Sequence, residues 1–215
     1  MAIQTPWQTT GPFFHFGLAW KGGADLVEDS ALGARPDLSA PGHDVVTQHT
    51  NTNRHLAKGS RIDIVGNLFD NTGAPLTDAL LEIWQANAAG RYAHPEDGRA
   101  DVPLDPAFIG FGRCATDKEG GFRFRTIRPG RVPGPGNTLQ APHIALGMVG
   151  PGMLKRLVTR IYFADSPENE EDPILALIPE RRRASLTARA EPGAPNTYRF
   201  DIHLAGPRET VFFEL

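Results

Sequence analysis

Few side chains in this sequence can do chemistry, and their supply is uneven: seven histidines, three tyrosines and a single cysteine. Cys114 has no second cysteine to meet, so neither an internal disulfide nor a thiolate metal cage can form. Tyr92 follows Gly90-Arg91 in a turn-like stretch, whereas Tyr162 and Tyr198 sit inside alternating strand patterns. By residue type alone, Tyr92 is expected to be a buried tyrosine bonded to neighbouring backbone, and His143 a hydrogen-bonded residue of a core strand. His94 and His203 read as surface or strand residues without a ligand role. The acidic run Glu168–Asp172 and the basic run Arg181–Arg183 read as solvated faces or local ion pairs.

The elements that must position these residues are short. Glycine and proline number 23 and 19 in 215 residues, a level that suits many strands joined by turns rather than long helices. Ile62 to Phe69 alternates with a period of two, and Asp70–Pro75 closes it as a turn. Further strands are predicted at Leu81–Ala86, Phe122–Ile127, His143–Val149, Val158–Phe163, Tyr198–Leu204 and Thr210–Phe213, with a hairpin-type turn at Thr116–Gly121. Helix is predicted only around Asp172–Ile178, with a second short piece between Glu180 and Ala190. The fold class that follows is all-β, a sandwich with one or two short helices; residues 61–215 form its core.

Residues 1–60 read as a long N-terminal arm. Their apolar cluster Pro12-Phe13-Phe14, Phe16, Leu18 and Trp20 predicts that the arm lies on something, such as another chain. The net charge of −3 gives no basic field for nucleic acid or an anionic membrane. No apolar run approaches membrane-spanning length and no signal peptide pattern opens the sequence, so a cytoplasmic protein is expected.

A set of segments spread in order along the chain carries more information. They are Gly66-Asn67-Leu68-Phe69-Asp70, Glu82-Ile83-Trp84-Gln85-Ala86-Asn87, Gly90-Arg91-Tyr92 and Gly112–Asp117. Phe124–Gly130, Ala141-Pro142-His143-Ile144, Thr159–Phe163 and Tyr198–Ile202 follow. In these the chain resembles the intradiol ring-cleavage dioxygenases, specifically the protocatechuate 3,4-dioxygenase family. The resemblance implies two homologous β-sandwich chains, alpha and beta, forming αβ protomers of a larger assembly. It also implies Fe(III) held in the beta chain by two tyrosinates and two histidines, where phenolates balance the ferric charge. The implied reaction uses O2 to open 3,4-dihydroxybenzoate, a small aromatic acid, to 3-carboxy-cis,cis-muconate.

On that pattern the four ligand positions fall at Tyr92, Val132, His143 and Ala145, and Gln140 takes the place of an arginine. Valine and alanine offer no donor atom. The chain is therefore similar to the family's alpha chains, which bind no iron, and a homologous beta subunit would supply the Fe(III). Tyr92, Val132, Gln140, His143 and Ala145 would outline a remnant pocket. The family's alpha chains also present a Thr-x-Gly-Pro loop to the partner's substrate, a pattern matched by Thr9, Gly11 and Pro12. Glycine allows close approach, proline stiffens the loop and a threonine hydroxyl can bond a carboxylate. The arginine that some alpha chains supply after the His143 strand is missing, with Lys155 and Arg156 as weak substitutes. Two other readings stand beside this one: a non-enzymatic transthyretin-like β-sandwich for binding or assembly, and a self-sufficient enzyme acting on catechol or hydroxyquinol.

Overall fold

The structure, a computed structural model, describes residues 23–28, 30–33 and 53–214. Strand β1 (Arg61–Phe69) alternates without a fault, burying Ile62, Ile64, Gly66 and Leu68. It pairs antiparallel with β4 (Gly121–Ile127) and parallel with β10 (Thr197–Arg199) and β11 (Ile202–His203). A second sheet runs in the order β3 (Phe111–Ala115), β2 (Leu80–Trp84), β7 (His143–Val149), β8 (Leu157–Phe163). Strands β5 (Val132–Pro133) and β6 (Leu139–Gln140) form a separate two-stranded ribbon. Ile64, Leu68 and Phe124 from the first sheet meet Leu81, Ile83, Ile144, Leu146, Ile161 and Phe163 from the second in one apolar core. Burying each such side chain is worth about 1.5–3 kcal/mol.

Two seams join the sheets. Strand β9 (Thr187–Ala190) pairs through Thr187 and Ala188 with β8, then through Arg189 and Ala190 with β10. On the opposite edge, Gly23 O accepts the Arg113 N–H of β3 at 2.7 Å, and Ala24 O accepts that of Arg125 in β4 at 2.8 Å. Ala24, Leu26 and Val27 are buried in the same core, so a segment from the stretch read as an arm closes this edge.

Several predicted elements differ in the structure. Tyr198–Leu204 is interrupted at Phe200-Asp201, because the Asp201 carboxylate, not a backbone carbonyl, accepts the Asn67 N–H at 3.0 Å. Thr210–Phe213 makes only scattered bonds, such as Phe213 N–H to Val158 O, and is not a strand. The predicted helix at Asp172–Ile178 is reduced to one 3-10 turn at Leu175–Leu177, another such turn precedes it at Pro167–Glu171, and α1 covers only Glu180–Arg183. The acidic run is not wholly solvated: Asp172 is fully buried, its carboxylate accepting the N–H groups of Ala141, Ile174 and Leu175. Among the described residues no helix is long and apolar enough to cross a membrane.

Candidate functional site

In β7, even-numbered residues enter the core, so His143, Ala145 and Gly147 face outward. Cross-strand pairing places Trp84 and Arg160 on either side of Ala145, and Tyr162 beside His143. The β5–β6 ribbon brings Val132 and Gln140 together as a cross-strand pair. A cleft of about 460 Å³ opens there, lined by Trp84, Tyr92, Val132, Gln140, His143 and Arg160 and edged by residues 94–99.

Tyr92 reaches this cleft through a tightly specified loop. Asn87 caps it, its side-chain oxygen accepting the N–H groups of Ala89 and Arg91 at 2.9 and 3.0 Å. Gly90 then adopts φ +83°, and a Cβ there would lie 1.9 Å from Arg131 O; only glycine lets this loop press against the segment leading to Val132. Asp97 accepts the Tyr92 N–H at 2.8 Å and both Nε and Nη2 of Arg99, which holds its carboxyl far below the usual range. The Tyr92 ring stacks on Trp84, 5.8 Å between centroids and 12° from parallel.

Tyr92, His143 and Tyr162 all favour their neutral forms. Burial pushes the Tyr92 phenol above its ordinary value, with Arg160 and Arg99 opposing and Asp97 adding. Burial, then the Arg160 charge, lowers His143 to about 4, although its bond to Ala141 O at 2.8 Å and Asp172 oppose the shift. Burial raises the Tyr162 phenol as well. Arg160 is the cation common to all three: its Nη1 donates to Gln140 Oε1 at 2.5 Å and to the Tyr162 hydroxyl at 3.3 Å.

These residues do not fit a ferric ion. Val132 and Ala145 have no donor, and a guanidinium stands among the positions that would need to surround a trivalent cation. Among the described residues no group of three His, Cys, Asp or Glu side chains could hold a metal.

The structure thus brings Tyr92, Val132, Gln140 and His143 into one cleft, with Ala145 in the adjoining cross-strand row between Trp84 and Arg160. Thr9, Gly11 and Pro12 lie outside the described residues. The sequence alone assigns no role to Arg160, the central group, although Thr159–Phe163 is one of the segments that carry the family resemblance. Its signal was an outward-facing arginine between the buried Thr159 and Ile161. His94, read as a residue without a ligand role, is exposed at the cleft edge, and His203 is buried with its ring stacked on Phe69 at 4.8 Å.

Comparison with known proteins gives the site its context. A family described as "Dioxygenase" matches residues 35–206. The protocatechuate 3,4-dioxygenase alpha chain of Burkholderia cepacia is 38% identical over 99% of this chain and 98% of its own length. The beta chain of the same enzyme and organism is 41% identical, over 79% of this chain and 74% of its own. Among solved structures, the dioxygenase domain of a carbohydrate-binding fusion protein from Streptomyces sp. SirexAA-E superposes with a TM-score of 0.55 and 26% identity. That match covers 93% of this chain and 97% of the domain. The transthyretin-like, non-enzymatic reading draws no support from these matches, each of which is to a dioxygenase.

Proposed function

The chain belongs to the intradiol ring-cleavage dioxygenase family, and on that premise we propose that it works as the iron-free alpha subunit of a protocatechuate 3,4-dioxygenase. Its partner is a homologous beta subunit that carries Fe(III), and αβ protomers of the two build a larger assembly. The assembly cleaves 3,4-dihydroxybenzoate with O2 to 3-carboxy-cis,cis-muconate. This chain's part is to close the partner's pocket, exclude water and fix the geometry of the protomer. Thr9, Gly11 and Pro12 form the loop offered to the aromatic acid, with the threonine hydroxyl as a donor to its carboxylate. A reducing cytoplasm suits a chain whose one cysteine, Cys114, is buried.

The donor-poor ring supports this reading most strongly. Identity alone favours neither chain type, since the beta relative is 41% identical and the alpha relative 38%. The end-to-end match is to the alpha chain, and Val132, Ala145 and Arg160 suit a subunit that leaves iron to another.

Expression alone and with an iron-bearing partner tests it. The chain alone is expected to be colourless, iron-free and inactive, and the co-expressed complex coloured and oxygen-consuming. Stoichiometric ferric iron with ring cleavage in the isolated chain overturns the reading. In the complex, Thr9→Ala with Pro12→Ala is expected to weaken substrate affinity at unchanged iron content; loss of iron instead marks the loop as purely structural.

A further inference from the structure

Among the described residues Arg160 has more donors than partners. A guanidinium carries five N–H groups, yet within the described residues only Nη1 is engaged, by Gln140 and Tyr162, while the group lies 5.7 Å from the centre of the Phe213 ring. No carboxylate among the described residues pairs with it. Its neighbours Gln140, Tyr162, His143 and Tyr92 are all neutral. The cleft's own carboxylates are placed otherwise: Asp97 is bound to Arg99, and Glu96 is exposed at the rim. Asp172, behind Tyr162, is already occupied by three backbone N–H groups and the Tyr162 hydroxyl. A partly buried cation that no described carboxylate neutralises is costly, and an anion that fits beside it relieves that cost.

The shape of the site narrows the anion. The unused Nε and Nη2 of a guanidinium form the edge that accepts a carboxylate through two parallel bonds. Beside it stand the stacked Trp84 and Tyr92 rings, a flat wall suited to another flat ring. About 460 Å³ lies within the usual range for small-molecule sites. We propose that this cleft binds a small planar carboxylate, its carboxyl group on the free donors of Arg160 and its ring against the Trp84–Tyr92 pair. The residues proposed to hold it all belong to this chain, and none of them is a metal ligand.

Calorimetric titration of the full chain with benzoate tests the proposal. One saturable site is expected, with binding weakened at least about tenfold in Arg160→Gln, whose fold is checked by circular dichroism. Benzyl alcohol, close in shape and uncharged, is expected not to bind; this comparison needs no variant. Crystals soaked in 4-bromobenzoate should show the bromine in the cleft beside Trp84 and Tyr92. No saturation up to about 10 mM, equal binding of benzyl alcohol, unchanged binding in a folded Arg160→Gln chain, or bromine elsewhere each overturns the proposal. Because the titration is made on the chain by itself, failure to pair with an iron-bearing subunit leaves its outcome intact. Conversely, an empty cleft leaves the pairing reading standing.

Discussion

His143 offers a quantitative check on the cleft. Its imidazole is buried and faces the Arg160 charge, so the folded chain holds it near a pKa of about 4, whereas the unfolded chain titrates it near 6.5. Below about pH 6.5 the unfolded state therefore takes up a proton that the folded state refuses, and stability falls as pH falls. The loss levels off only once pH drops below the folded value of about 4. Between pH 7.5 and pH 5 this linkage costs about 2 kcal/mol. The window is useful because ordinary carboxylates stay mostly ionised above pH 5. Urea unfolding of the full chain and of His143→Gln across that interval isolates the effect, since the other histidines contribute equally to both proteins. The wild-type chain should lose about 2 kcal/mol more than the variant, and the His143 ring signals in NMR should stay those of neutral imidazole at pH 5. Parallel stability curves, or a His143 that titrates near 6.5, would refute the reasoning.

Two further substitutions probe the frame around the cleft. Asp172→Ala leaves the N–H groups of Ala141, Ile174 and Leu175 and the Tyr162 hydroxyl without their acceptor; a loss of about 3 kcal/mol or more in urea unfolding is expected, and an unchanged midpoint contradicts the network. Gly66→Ala places a Cβ 1.9 Å from Phe200 O in the middle of β1; thermal melting should show a loss of about 3 kcal/mol, and an unaltered melting temperature would mean that this close approach is not rigid.

Strands with large side chains on the inner face were legible from the sequence. His143–Val149 forms β7 with the predicted ends, and β1, β4 and β8 depart by a residue or so. Strand β3 was not read as a strand because its inward residues are Gly112 and Cys114, too small to register as an apolar alternation. The Tyr198–Leu204 run hid its interruption because substitution of Asp201 for a ladder carbonyl leaves no mark on alternation. Site positions along the chain were legible, and their convergence was not. Arg160 meets Gln140 and Ala145 through strand register, which depends on partners twenty and fifteen residues away.

The place of β1 in its sheet has a kinetic consequence. Its antiparallel neighbour β4 follows about sixty residues later, but its parallel neighbours supply the pairings Asp63 with Thr197 and Leu68 with Ile202. The Asn67–Asp201 bond closes a loop of 134 residues. Such pairings give the chain a high contact order, and folding of this kind belongs to the slow end of single-domain rates. During synthesis the first strand emerges long before the last two, so its sheet waits unfinished, with a backbone edge open, until the C-terminal segment has left the ribosome. Cutting the chain before Thr197 is therefore expected to cost the whole first sheet, and to leave an aggregation-prone product.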